Sequence, residues 1–555
     1  MSIPKASPLP PNPTFADLTS PTWLKSRNKR SRDATFFQTL KTSLIALPTI
    51  TVLAPLAFLS QTILSNTRSK PTLPDSAPIA LSELKPPSQS DRKYDITIVG
   101  VTGFTGKLVL EYYIQNYPNL KIAVSGRNLD RVQSAVSKVQ EICSSNIEIG
   151  ILKADAGDWD GNFEVARNTK VVVTTAGPFA KIGDKLITAC AHSGTHYADI
   201  TGETGWVRSN VARLGSIAGE SGGVLCSLCG HDSVPWEFSV KGLEEKMGET
   251  GEDLVKGLEP SIHSNMSKII FLAVVLTDEI ASQASGGTIA TMVDSVENPI
   301  ANVKSTFDPI YGTKKNGKVI NASPKFIAKG PDGWMSFFMM SLVNAEAVKR
   351  SVNLNQNLEY VEGERVTFLT GVNNTLSLYM GLCALYIPPL RKFLLSKKII
   401  PNPGSGPSLK QQQNGYLRNL EYVEGERVTF LTGVNNTLSL YMGLCALYIP
   451  PLRKFLLSKK IIPNPGSGPS LKQQQNGYLR VIGTGYGSKG TIAKSCIYFD
   501  SDPGYRDTAR MVAEAGATLL EVGGKKEGGV YTPGAVIREE MTEKLLKGGT
   551  AFVVE

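Results

Sequence analysis

Four histidines and seven cysteines in 555 residues leave little material for a metal centre or a disulfide framework. None of them cluster at ligand spacing, so no metal is expected, and the cysteine usage suits a reducing compartment. A Ser/His/Asp constellation is also missing. The chain lacks a strong charge bias: 59 Lys/Arg face 49 Asp/Glu, a net +10. The first 90 residues hold ten Lys/Arg and four Asp/Glu, which leaves only +4 for the rest. That is no basic nucleic-acid surface, and nucleic acid is not expected as a partner. Charged residues make up 19% and hydrophobic residues 41%, a globular balance that excludes wholesale disorder, collagen and coiled coil. The length asks for more than one domain.

Residues 1–92 read as a proline-rich basic leader, with 13 of the 33 prolines before residue 91. Such a stretch resists regular structure, so disorder or membrane association is expected there. Inside it, Thr42–Leu64 runs for 23 residues without a charge. As a helix it would extend roughly 34 Å at about 1.5 Å per residue, enough for a bilayer. Pro48 and Pro55 would kink it. Three readings stand side by side: a membrane anchor or kinked surface hairpin, an organelle transit peptide, and an apolar helix packed on the enzyme. The basic flank (Lys25, Arg27, Lys29, Arg30, Arg32, Lys41) would place the body across the membrane from the cytosol. Cysteine usage points the other way, to the cytosolic side of the endoplasmic reticulum or a lipid droplet, with the mitochondrion as the alternative.

Asn357–Arg418 and Asn419–Arg480 are identical at all 62 positions. Solenoid repeats diverge and come in larger numbers. A flawless doubling indicates a recent duplication or a gene-model artefact, in which one copy completes the fold and the other is surplus. Each copy carries an apolar run, Leu376–Leu390 in the first, that ends at Pro388-Pro389 and is followed by RKFLLSKK. A buried helix and a membrane-surface segment both fit it.

From Lys93 the pattern becomes α/β alternation. Short apolar runs at Asp95–Gly100, Lys121–Gly126, Ile147–Asp155, Lys170–Gly177, Thr195–Ile200 and Gly223–Leu228 read as buried parallel strands. Helices are expected at Lys107–Tyr117, Leu129–Ile142, Lys181–His192 and Val207–Ala218. The expected fold is α/β: a Rossmann-type doubly wound parallel sheet over 93–235. A second mixed α/β domain is expected to start over 236–356 and to be completed by 481–555. Between the first strand and helix lies Gly100-x-Thr102-Gly103-Phe104-Thr105-Gly106, the place where a dinucleotide pyrophosphate meets a helix N-terminus. The second strand ends in Ser125-Gly126-Arg127-Asn128. An NAD enzyme carries an acid there for the ribose hydroxyl. Arg127 instead suits the 2′-phosphate of NADP(H); stacking on adenine or simply opening the helix are its other readings.

The runs YDITIVGVTGFTGKLV, SGRN, TTAGPF, GTHYADITGE, CGHDSVPWE, SGGT, PNPGSGPS, DPGYRDTA and GGVYTPGAVI resemble the saccharopine dehydrogenase-like oxidoreductases, nearest to the trans-acting enoyl reductase branch. The resemblance runs from Tyr94 to the C-terminus apart from the surplus repeat. It implies an NADP-binding Rossmann domain, a mixed second domain and hydride-transfer chemistry, with reduction of lipid-linked double bonds in (glyco)lipid metabolism as one outcome.

The loops at the carboxyl ends of the strands carry the candidate site. Ala176, Gly177, Pro178 and Phe179 would form the wall beside the cofactor, Asn128 would join Arg127, and Asp155 would accept from the adenine amino group. For proton transfer the candidates are Tyr197, Asp199, Glu203, His231 and Asp232, with loop capping or cofactor positioning as the competing reading of Asp199 and Glu203. The resemblance implies an aromatic residue at the position of His231 in many members, which weakens its claim. Cys226-x-x-Cys229 reads as two buried small apolar residues. The expected function is an NADPH-dependent oxidoreductase acting on a lipid-like enoyl substrate at a membrane or lipid-body surface. The alternatives are a catalytically silent NADP-binding scaffold and an imine- or saccharopine-type dehydrogenase. A homo-oligomer is compatible with all three.

Overall fold

The computed structural model describes residues 13–19, 77–78, 85, 87–231, 233–249, 271–280, 327–330, 333–336, 340–351, 358–366, 474, 477–486 and 492–555. Thr42–Leu64, the apolar runs of both repeats, Ser285–Thr288, both PNPGSGPS segments and Asp232 lie outside them.

Among the described residues, a short helix α1 (Phe15–Thr19) precedes the first domain. The first domain opens with β1 (Tyr94–Val99), α2 (Phe104–Asn116), β2 (Ile122–Gly126), α3 (Leu129–Cys143) and β3 (Ile149–Lys153). It continues through α4 (Trp159–Asn168), β4 (Thr169–Thr174), α5 (Phe179–Ile182), α6 (Asp184–Ser193), β5 (His196–Asp199), α7 (Thr204–Ser221) and β6 (Val224–Cys226). Its central strands β1 and β4 are rich in β-branched residues and largely buried, as a parallel sheet covered on both faces requires, while the edge strand β3 is half-buried. Ile96, Ile98, Val171 and Val173 face one helix layer, and Val172, Tyr197 and Leu225 the other. The helix α4 has no counterpart among the expected ones. Asp158 caps it, accepting from Asp160 and Gly161 N–H at 3.2 Å each.

The remaining elements are α8 (Val234–Glu249), β7 (Phe271–Ile280), β8 (Ile327–Gly330), β9 (Gly333–Ser336), α9 (Ser341–Ser351), β10 (Leu358–Val366), β11 (Tyr478–Tyr486) and β12 (Ile492–Phe499). After a π-helical turn at Pro503–Asp507 come α10 (Thr508–Val522), β13 (Gly529–Tyr531), α11 (Pro533–Val536), α12 (Arg538–Lys547) and β14 (Ala551–Val554).

Among the described residues, two seven-stranded sheets result. The first runs β13-β6-β5-β4-β1-β2-β3, wholly parallel. The second runs β14-β12-β11-β7-β10-β9-β8 and is mixed, with β10 parallel to β7 and its other pairings antiparallel. This is the expected class, a Rossmann-type sheet with a second mixed domain. The nucleotide-binding sheet, however, reaches beyond 93–235. Its edge strand β13 comes from near the C-terminus, and α10 packs on its face. Gly516 makes that packing close, since a Cβ there would meet Val173 Cγ2 and Tyr113 Oη at 2.5 Å. Glu514 of α10 accepts the Tyr112 hydroxyl at 2.6 Å and the Tyr117 hydroxyl at 2.5 Å, and Tyr113 donates to Ala513 O at 2.7 Å.

On the second sheet, α8 covers one face. Ser239 and Ser495 share a hydrogen bond at 2.7 Å beneath it, and Gly483 leaves room for Ser239 and Leu243. The two repeats divide their labour: β10 begins at the second position of the first copy, and β11 begins with the last three residues of the second. The leader also contributes structure. Among its described residues, α1 lies on the second sheet with Leu18 fully buried.

Candidate functional site

The parallel sheet reverses its order between β1 and β4, and the glycine turn sits at that switch point, where α/β sheets bind their ligands. Gly100 has φ +95°, and a Cβ on it would press within 3.0 Å of Ala176 N and Thr175 Oγ1. Gly106 lies so near the turn that a Cβ would meet Gly100 O at 2.2 Å. These two glycines let helix and strand close on each other. Gly103 differs in degree: its Cβ would meet only Gly100 O, at 3.1 Å, a milder crowding than at the other two glycines. Gly103 N-caps α2 with no side-chain capping bond. The first-turn N–H groups of Phe104, Thr105 and Gly106 therefore stand ready for an anion, and Thr102 leads into them.

Two buried hydroxyls flank the turn without a hydrogen-bond partner among the described residues, Ser125 Oγ at the end of β2 and Thr175 Oγ1 just past β4. Orphaned hydroxyls beside a cradle that a Cβ would fill fit a polar dinucleotide. Arg127 and Asn128 follow β2 and are exposed. The Asn128 carboxamide oxygen caps α3, accepting from Arg131 N–H at 2.9 Å, which leaves Arg127 as the free-standing cation of the pair. Asp155 is exposed past the end of β3, and its Oδ1 accepts from Gly157 N–H at 3.0 Å.

Past β4 the chain turns through Ala176 and a cis Gly177-Pro178 bond into α5. Glu203 grips this turn. One of its carboxylate oxygens accepts from Phe179 N–H at 2.7 Å and the other from Ala180 N–H at 2.8 Å. It neutralises the N-terminus of α5 and holds the wall beside the switch point.

The other acid–base candidates sit differently. Tyr197 is fully buried among the helices on one face of the sheet, and burial drives its hydroxyl well above the ordinary tyrosine range. Asp199 ends β5, and its carboxylate stitches the loop after β5 to the loop after β6. It accepts from Thr201 N–H at 3.0 Å, Leu228 N–H at 3.2 Å and the Ser227 hydroxyl at 3.0 Å. Leu228 is held at φ +68° by this arrangement. Burial pushes Asp199 up to about 6, against those hydrogen bonds, which lower it. His231 is buried, with its ring 5.1 Å from that of Trp236. Cys226 and Cys229 are both buried; the Cys229 thiol donates to Cys226 O at 3.3 Å, and burial raises both thiols, as suits core residues. No group of three or more His, Cys, Asp or Glu among the described residues could hold a metal.

One wall escaped the sequence reading. The π-helical turn Pro503–Asp507 brings Tyr505 edge-on to Phe104 of the glycine turn, ring centroids 5.4 Å apart. Asp502 anchors it by accepting from Tyr505 N–H at 3.0 Å. Thr508 then bridges back, accepting from His231 N–H at 3.2 Å and donating to Pro503 O at 2.9 Å. The signal was the DPGYRDTA run itself, since Asp-Pro-Gly is a strong turn former. Local pattern could not say what the turn would touch.

Comparison with known proteins agrees with this geometry. Residues 96–226 match the saccharopine dehydrogenase NADP binding domain. A Mycobacterium tuberculosis protein described as a candidate trans-acting enoyl reductase is 27% identical over 83% of this chain and 97% of its own. A trans-acting enoyl reductase of Mycobacterium ulcerans is 26% identical over 60% of this chain and 81% of its own. Saccharopine dehydrogenase (L-Glu forming) of Saccharomyces cerevisiae superposes over 83% of this chain and 99% of its own, at 14% identity and a TM-score of 0.40. The cofactor is NADP(H), and the protein is an NAD(P)-dependent oxidoreductase.

Proposed function

We propose that this saccharopine dehydrogenase-like, NADP-binding oxidoreductase reduces the polarised C=C bond of a lipid-like enoyl substrate. The observation that carries the reading is the similarity to relatives named enoyl reductases, which extends over most of both lengths and so takes in the second domain as well as the cofactor domain. NADPH, when bound, supplies the hydride. The chain's own residues do the rest. The first-turn N–H groups of α2 hold the pyrophosphate, Arg127 selects the 2′-phosphate, and Glu203 fixes the wall formed by Ala176–Phe179. The acids nearest that wall, Asp199 and Glu203, are committed to backbone N–H groups. They serve better as positioning residues than as proton donors, and solvent supplies the proton that completes the reduction.

In this reading the enzyme works at a membrane or lipid-body surface, on the cytosolic side of the endoplasmic reticulum or a lipid droplet, and serves (glyco)lipid synthesis. The uncharged run Thr42–Leu64 supports the surface attachment. The engagement of Asp199 and Glu203 also favours a second reading, a silent NADP-binding scaffold. The purified full chain is incubated with NADPH and an enoyl thioester, and separately with saccharopine and NADP. Lipid extracts are compared with and without the gene. Consumption of NADPH with the enoyl thioester, and an unreduced lipid accumulating in the gene's absence, are the expected results. NADPH binding with no turnover supports the scaffold, and turnover of saccharopine overturns the enoyl reading.

A further inference from the structure

We infer that residues 13–19 are a built-in clasp of the second sheet, so that the leader is retained in the mature protein and returns to the body it leaves. The segment is coded to form a helix. Thr14 and Asp17 cap each other: the Asp17 carboxylate accepts from Thr14 N–H at 2.9 Å and its hydroxyl at 2.7 Å, and Asp17 N–H donates to Thr14 Oγ1 at 3.2 Å. Those bonds hold the Asp17 carboxyl below its ordinary range.

The docking side is equally specific. Leu18 is 0% exposed. Its carbonyl accepts from Arg480 Nη1 at 3.1 Å, and Arg480 itself is 0% exposed. Lys494 Nζ stands 5.5 Å from the centre of the Phe15 ring. In the β11–β12 register Gly483 pairs with Ser495, and these two face α8. Arg480 and Lys494 are odd-numbered steps away from them, so they project to the opposite face. The clasp therefore covers the side of the sheet that α8 does not. Removing it would bare an apolar contact and leave a buried guanidinium N–H without its carbonyl. A cleaved transit peptide would carry this clasp away.

The leader's far end is fixed as well. Gln89 Nε2 donates to Gly194 O at 2.7 Å. The buried Arg92 donates to Thr169 O at 2.7 Å, Thr195 Oγ1 at 2.6 Å and Ser193 O at 2.5 Å. Thr42–Leu64 thus lies between two points docked on one folded body. A single membrane crossing would put those points on opposite sides, so contact with lipid is made from one side only. This consequence alone rests on the lipid-surface reading above.

Peptide mapping of the natural protein tests retention: a tryptic peptide spanning Phe15–Leu24 is expected, and a mature N-terminus beyond Thr19 overturns the inference. Hydrogen exchange compares the full chain with Leu18→Asp and with a chain lacking residues 1–19. Faster exchange in 478–486 and 492–499, with NADPH affinity unchanged, is expected. Unaltered exchange there overturns the clasp. Leu18→Ala, with a smaller effect of the same pattern, serves if Leu18→Asp fails to fold. On phosphatidylcholine vesicles, tags at both termini should be digested from outside together, and protection of one alone overturns the one-sided arrangement. Failure of the full chain to bind vesicles overturns the lipid-surface reading, and exchange still decides the clasp.

Discussion

The carboxylate of Glu203 accepts the backbone N–H of Phe179 at 2.7 Å while its second oxygen accepts that of Ala180. An acid on the loop after β5 therefore sets the conformation of the loop after β4. Each such charge-assisted bond is worth about 1.5–3 kcal/mol. Glu203→Ala should weaken NADPH binding at least about tenfold, read by fluorescence titration, and should release the turn at Gly177-Pro178. Glu203→Gln keeps one acceptor and should recover part of the loss. Were Glu203 instead the acid that protonates substrate, Glu203→Gln would abolish turnover and leave affinity alone.

Cofactor choice separates Arg127 from the glycines. Arg127→Ala should weaken NADPH by a factor of roughly ten to a hundred and spare NADH, because only the 2′-phosphate is lost as a partner. Arg127→Asp should reverse the preference. Gly103→Val should harm both cofactors with a smaller loss of folding midpoint than a change at Gly106, since its Cβ would press on Gly100 O at 3.1 Å rather than 2.2 Å. Gly106→Ala should instead damage the fold, because its Cβ would overlap the turn. Equal loss of both cofactors in Arg127→Ala would make that residue an adenine-stacking or structural one.

Stability should fall as pH rises from about 4.5 to about 7. Glu237, wholly buried where it accepts from Thr532, is pushed up to about 7 by burial from an ordinary 4.5. A raised carboxyl pKa stabilises the fold below the unfolded value and loses that contribution as pH climbs through the folded one. The loss here is about 3 kcal/mol. Asp199, raised to about 6, acts in the same direction but slightly lower in pH. His196 opposes both: burial lowers it to about 4, so its contribution disappears as pH drops from 6.5 toward 4. Between pH 4.5 and 6 it offsets about one of the two carboxyls, and the net decline ends near pH 7. Urea denaturation across this range should show the decline, and Glu237→Gln should flatten it. An unchanged slope would mean that Glu237 does not titrate in the folded protein.

Deleting residues 419–480 should leave the fold and NADPH affinity intact. The junction would join Tyr416-Leu417-Arg418 to Val481, restoring the sequence of β11 residue for residue, and β10 would be untouched. Calorimetry and cofactor titration of the shortened chain check this. A collapse of either would show that the second copy does more than fill space.

The nucleotide-binding sheet was legible because buried parallel strands are written as short runs of Val and Ile, as in β1 and β4, and because the glycine turn falls between strand and helix. The helix α4 was hidden by Gly161 and Asn162 in its first turns, residues of poor helix propensity that are kept there by the Asp158 cap and by close approach to Lys153 O. Strand β13 is three residues long, follows Gly528 and itself begins with Gly529. It is a strand only because Gly529 N–H reaches Gly223 O and Tyr531 O receives Ser227 N–H. In the site, the cofactor turn could be read locally. The grip of Glu203 on Phe179 and the contact of Tyr505 with Phe104 are made across the chain, and no local spacing encodes them.

Strand β13 also bears on the order in which the protein is made. The sheet that will hold NADPH begins at Tyr94, yet its outermost strand and the helix covering one face emerge only after the ribosome has passed residue 508. At ordinary translation speeds the edge of β6 waits roughly 15–60 s for its neighbour. During that interval an unpaired strand edge stands open to other chains. The enzyme therefore cannot mature domain by domain. Its dinucleotide crevice closes only near the end of synthesis, and truncation shortly before Gly529 should yield a chain prone to association rather than a smaller working oxidoreductase.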